Sequence, residues 1–216
     1  MLEKHRREEM PAKKGGGKVR DKWRDKRWVV VHAPSVFANQ PIAYIPITDE
    51  EHAVGRIIEC TLFDLWHTDP QQHAIKLYFQ IERVEGDDAY TYLHGHEYTK
   101  EFIKSLVRRG SSMINFIKDY TTADGYTFRI YTITFTQKKI NTSKKHDIRK
   151  VMDGVLSMEV PKLNIDQFIQ AVVGPKLNAD IHNKVKDIIN VRFVAVWKTK
   201  LLSRKQPLIQ MQQEQV

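Results

Sequence analysis

A change of hydrophobic period after Thr136 limits what this chain can fold into. Before that point apolar side chains recur at every second position. Ile75, Leu77, Phe79 and Ile81 alternate with Lys76, Tyr78, Gln80 and Glu82, the pattern of a half-buried strand. After it they recur three and four apart: Ile148, Val151, Met152, Val155 and Leu156 form one stripe, Ile165, Phe168, Ile169 and Val172 a second, and Ile181, Val185, Ile188 and Ile189 a third. The run Val191 to Trp197 is β-branched and aromatic and returns to sheet. Many strands, then helices, then one strand predicts an α+β fold with a mostly antiparallel sheet or a β-barrel-like core over about 23–136 plus 191–197. Helices are expected at 99–109 and within 144–190.

Within the sheet region the spacing predicts strands over Trp23 to Val31, Gly55 to Leu65 and the hairpins on either side of residue 100. Pro34, Pro41 and Pro46 read as loop punctuation. Glu85-Gly86-Asp87-Asp88 turns the 75–82 strand back into Ala89 to His94, and Ala123-Asp124-Gly125 joins Met113–Thr122 to Tyr126–Thr136. Between the hairpins, Thr99 is placed to cap a helix with Phe102, Ile103, Leu106 and Val107 on one face, ending at Gly110 after Arg108 and Arg109. Gly174-Pro175 stops the second of the later helices.

Charge is segregated along the chain. Residues 1–27 hold 11 basic and 5 acidic side chains, residues 28–136 hold 9 and 14, and residues 137–216 hold 15 and 7, within a net charge of +9. Cationic ends around a mildly acidic middle favour a polyanionic partner that meets the ends. Residues 1–22 carry Lys13, Lys14, Gly15, Gly16, Gly17, Lys18 and Arg20 with few apolar side chains, and read as a flexible basic arm. The body is expected over 23–202 as one domain, with a short flexible tail over 203–216. The opening Met-Leu-Glu-Lys-His-Arg-Arg lacks the apolar stretch of a signal peptide, and the run Phe193 to Trp197 is too short to span a bilayer. One cysteine, Cys60, cannot form an internal disulfide and suits a reducing, intracellular setting.

Three basic clusters lie within 108–150: Arg108-Arg109, Lys138-Lys139, and Lys144-Lys145 with Arg149-Lys150. Each alone is an ordinary solvated pair, but together they predict phosphate contacts, with Lys145 and Arg149 projecting on one helix side opposite the stripe that starts at Ile148. Enzymatic signatures are weak. Gly15-Gly16-Gly17-Lys18 is followed by Val19 where a phosphate loop needs Ser or Thr, and no serine stands in a GxSxG elbow. His94, His96 and Glu97 offer two imidazoles and a carboxylate, the basis of an alternative reading as a metal-dependent hydrolase. No second ligand group accompanies them, and a strand-end turn at Gly95 accounts for the segment. No catalytic residue, metal or cofactor is predicted.

The wording of the chain resembles the small-subunit ribosomal protein family S-three-Ae, also called S-one-e, of archaea and eukaryotes. Asp21-Lys22-Trp23, Trp28, Ala33-Pro34, Gly55-Arg56, Lys76-Leu77-Tyr78-Phe79, His94-Gly95-His96, Ser105-Leu106-Val107-Arg108-Arg109, Asp124-Gly125-Tyr126 and Asn141-Thr142-Ser143 carry it, in family order. The short stretch after Leu202 resembles the archaeal branch. The chain departs at Gly110, where archaeal relatives tend to carry a third basic residue. The resemblance implies a structural, non-catalytic component of the cytoplasmic small subunit. It would sit on the platform near the messenger exit and the 3′ end of the ribosomal RNA, with neighbouring platform proteins and mRNA close by. It implies neither a membrane nor a small-molecule substrate. RNA contacts are expected from Lys13, Lys14, Lys18, Arg20, Arg108, Arg109, Lys138, Lys139, Lys144, Lys145, Arg149 and Lys150.

Overall fold

The computed structural model describes residues 23, 24 and 26–204. The expected basic arm and residues 205–216 of the expected 203–216 tail therefore lie outside the described residues, whereas Ser203 ends the last strand and Arg204 pairs with Glu82. Within them are eight strands: β1 (Arg27–His32), β2 (Pro41–Ile47), β3 (Ile57–Thr61), β4 (Ile75–Glu85), β5 (Asp88–Tyr98), β6 (Met113–Thr121), β7 (Thr127–Thr136) and β8 (Val191–Ser203). Five helices accompany them: α1 (Leu62–Trp66), α2 (Lys100–Ser105), α3 (Thr142–Glu159), α4 (Ile165–Val173) and α5 (Lys176–Lys186). The fold is α+β, as the change of period requires.

All strand pairs are antiparallel except β1 with β5. β4 covers one edge of β5 over its full length, while the other edge is divided. Residues 88–90 pair with β1 and residues 95–97 with β8. From that fork one branch runs β1–β2 and the other β8–β7–β6. The outer strands β2, β3 and β6 do not pair with one another, so the sheet is open and the barrel alternative is not realised.

The later stripes pack as read. Ile148, Met152, Val155 and Leu156 of α3, Phe168 and Val172 of α4, and Leu177, Ile181 and Val185 of α5 bury against Ile114, Phe128, Ile130 and Val196 of the β6–β7–β8 branch. Phe128 and Phe168 meet ring to ring at 4.7 Å. The hairpin turn fixes α4: Asp124 Oδ2 accepts from Ile165 N at 2.7 Å, a carboxylate at the positive end of a helix. The other face of α4, through Ile169 and Val173, closes a second core with Phe37, Leu62, Leu77 and Phe79. Cys60 belongs to this core, and burial, aided by the charges of Asp64 and Glu59, pushes its thiol up to about 12.

Four expectations are corrected. Pro41 and Pro46 lie in a strand rather than a loop, because β2 has only one neighbour and an edge strand tolerates a residue without an N–H. β1 begins at Arg27; Trp23 lies in a preceding turn closed by Lys26 N to Trp23 O at 3.2 Å. The strand over 55–65 stops at Thr61, where Thr61 Oγ1 accepts from Asp64 N at 3.3 Å and Asp64 Oδ2 from Thr61 N at 2.9 Å, a capping box that starts α1. The helix after Thr99 spans only six residues, so Leu106 to Gly110 lie beyond it.

Candidate nucleic-acid interface

The β6–β7 hairpin is closed, at the end away from its turn, by buried polar groups that satisfy one another. Thr136 N donates to Ser112 O at 3.0 Å, Ser112 N to Thr136 Oγ1 at 3.0 Å, and Ile140 N to Ser112 Oγ at 3.2 Å. Gln137 N donates to Asn190 O at 3.2 Å, which brings the start of β8 to the same place. Arg108-Arg109 precede Ser112, Lys138-Lys139 follow Thr136, and Lys144-Lys145 lie in the first turn of α3. The three clusters thus converge on one end of the β6–β7–β8 branch.

Arg108 and Arg109 are displayed on a tight turn in which the Ser111 hydroxyl donates to Arg108 O at 2.7 Å. Gly110 closes it at φ +77°, a left-handed conformation that favours glycine. The turn is anchored from β8: Arg192 Nη2 donates to Leu106 O, and the guanidinium lies 5.8 Å from the centre of the Phe135 ring. Lys138, Lys139 and Lys144 are exposed as well. Solvated cations grouped on one end can neutralise consecutive phosphates, and arginine adds paired hydrogen bonds to phosphate oxygens.

Arg149 departs from its expected role. It is half-buried, and its Nε donates to Asn115 O on β6 at 3.1 Å, so it fastens α3 to the sheet at the margin of the apolar stripe rather than opposite it. Each helical residue turns about 100° from its neighbour, so a residue next to Ile148 cannot face away from it. Lys145 lies on the same half-buried margin, while Lys150 is exposed. Lys13, Lys14, Lys18 and Arg20 lie outside the described residues. Lys184 and Lys186 were missed by sequence reasoning. Both are exposed in the last turn of α5, which leads into β8, where cations complement the helix carbonyls. Arg192 was missed too, and only its position at the start of a strand that meets Thr136 signals it.

The imidazole pair does not form a metal centre. His96 is wholly buried with both ring nitrogens engaged: Nε2–H donates to Val196 O at 3.0 Å and Nδ1 accepts from the Thr199 hydroxyl at 2.7 Å. Burial depresses its pKa to about 4. Glu97 pairs with Lys198 at 2.9 Å, and no group of three potential metal ligands occurs among the described residues. The segment is structural, joining β5 to β8.

Comparison with known proteins agrees with the residue reading. The family model described as the Ribosomal S3Ae family matches residues 14–205. Among curated proteins the chain is 41% identical over 193 residues to small ribosomal subunit protein eS1 of Staphylothermus marinus, covering 89% of this chain and 90% of that one. It is 39% identical over 184 residues to the protein of that name from Desulfurococcus amylolyticus, covering 85% and 86%. With that of Archaeoglobus fulgidus it shares 37% over 195 residues, covering 90% and 92%. With a family match over residues 14–205 and an α+β body whose cations gather at one end, the chain belongs to the Ribosomal S3Ae family.

Proposed function

We propose that this chain is a structural constituent of the cytoplasmic small ribosomal subunit and binds ribosomal RNA through the cationic end of its β6–β7–β8 branch. The convergence of Arg108-Arg109, Lys138-Lys139 and Lys144-Lys145 on that end, held by the Ser112–Thr136 bonds, carries the reading. The names of its relatives support the particle, and the resemblance supports the site within it: the platform, near the messenger exit and the 3′ end of the RNA. In this reading residues 23–202 form one body that grips phosphates, extended by Ser203 at the end of β8 and by Arg204 on Glu82, with the basic residues of 1–22 adding contacts. Its role is binding without catalysis. In cell extracts, tagged protein should travel with small subunits and translating ribosomes in a sucrose gradient. Recovery mainly at the top of the gradient would overturn the assignment.

A further inference from the structure

The opposite end of β5 has a different chemistry. In the β1–β2 ribbon, Val29, Val31 and Ile47 point into the core, and the alternate residues point out. Trp28 lies opposite Pro46 and Val30 opposite Tyr44, so the four share the outward face, where Trp28 is 62% and Tyr44 68% exposed. The face continues onto β5, where His32 lies beside Tyr90 and stacks on it at 5.8 Å. Large aromatics left in water on a ribbon with a buried back are the composition of a protein contact.

The charges around this face select its partner. Arg27 pairs with Glu50 at 2.6 Å and lies 3.9 Å from Asp87, Arg83 pairs with Glu85 at 2.9 Å, and Arg56 is held by the carbonyls of His52 and Pro46. Exposed Asp49 and Glu51 flank Glu50 in the loop after β2, and Asp88 holds His32 at 2.8 Å. A phosphate approaching here would meet carboxylates, whereas a cationic side chain would find acceptors beside an aromatic floor. The site is far from the RNA-facing end, since Asp88 and Tyr98 at the two ends of β5 are about 33 Å apart at strand rise.

We propose that the outward face of β1–β2, centred on Trp28 and Tyr44 and rimmed by Asp49, Glu50 and Glu51, docks a lysine- and arginine-bearing segment of a neighbouring protein. The inference rests on the chain's being a small-subunit component, where neighbours that neutralise phosphates are themselves cationic. It is tested by placing the photoreactive p-benzoylphenylalanine at Trp28 or Tyr44, an aromatic-for-aromatic exchange at exposed sites, and irradiating purified small subunits. Both positions should give nuclease-resistant adducts with one and the same other protein, on a peptide of net positive charge. Charge reversal by Glu51→Lys with Asp49→Lys should remove most of the adduct while the chain still enters subunits. Cross-links to RNA, to residues 1–22 or 205–216 of this chain, to a neutral or acidic peptide, or to nothing would overturn the proposal. Failure of the unsubstituted chain to enter subunits is read separately, by sedimentation, and overturns the functional assignment instead.

Discussion

His96 Nδ1 lies 2.7 Å from Thr199 Oγ1, and this bond ties the fork of the sheet together where the edge of β5 opposite β4 passes from β1 to β8. The ring is held neutral by burial, with a pKa near 4 against an ordinary 6.5. Between those values the unfolded chain binds a proton that the folded chain does not, so stability rises with pH across the window. The contribution is complete above about 6.5 and is lost as pH falls toward about 4. It is on the order of 3 kcal/mol if the whole shift is expressed in stability. Urea unfolding at pH 7 and pH 5 should show a clear drop for the parent and a smaller one for His96→Gln. Equal drops would show that the buried ring does not set the acid limit. His94, also depressed by burial, acts in the same direction, which is why the comparison with the variant is needed.

Gly95 makes the same fork possible from the backbone side. A Cβ there would stand 2.2 Å from Thr199 O, which belongs to the paired strand and cannot yield without separating β5 from β8. Gly95→Ala should therefore cost several kcal/mol, at the severe end of single substitutions. Gly154, in the middle of α3 with no atom within 4 Å of the added carbon, provides the control. There alanine should stabilise by about 0.5 to 1 kcal/mol through helix propensity. Thermal melts of the two variants should move in opposite directions; a Gly95→Ala melt equal to the parent's would contradict the close approach.

Cys60 tests the second core. Its thiol requires a pH near 12 to ionise, and only the thiolate is a good nucleophile. At pH 8 the native protein should resist iodoacetamide for hours, while the urea-unfolded chain should be labelled within minutes. Rapid labelling of the native state would mean that the core around Leu62, Leu77 and Phe79 opens readily.

Regular packing was legible in the sequence, and long-range convergence was not. The stripe from Ile148 to Leu156 and the turn at Asp124 appear where the periods placed them, because each depends on neighbours within one or two turns of chain. β2 was hidden by its prolines, since edge position is a property of the sheet. α1 was hidden by five apolar-rich residues too short to show a period, although Thr61 and Asp64 at capping-box spacing marked its start. The basic clusters were found one by one. Their union depends on Ser112 meeting Thr136 and Gln137 meeting Asn190, contacts that no local pattern specifies. The misplacement of Arg149 has a different cause: a stripe beginning at Ile148 already excluded the far side for its neighbour.

That distinction separates two kinds of arginine at the cationic end. Arg108 and Arg109 are exposed, and no carboxylate pairs with them among the described residues, so replacing both by Ala should leave the melting temperature nearly unchanged, as exposed charges contribute about 0 to 1 kcal/mol. RNA affinity should fall, and the slope of log affinity against log salt should become shallower by about 1 to 2, since each lost phosphate contact removes roughly 0.7 to 0.9. Arg108→Lys with Arg109→Lys should recover the salt slope but only part of the affinity, because lysine keeps the charge and loses the paired hydrogen bonds. Arg149→Ala should instead lower the melting temperature by removing the bond to Asn115 O, a loss of about 1 kcal/mol, with a smaller effect on the slope. Filter binding to small-subunit RNA across a salt series, on variants first shown to be folded, decides between them. A double Arg108/Arg109 variant that binds with the parent's affinity and slope would move the RNA contact away from this end of the sheet.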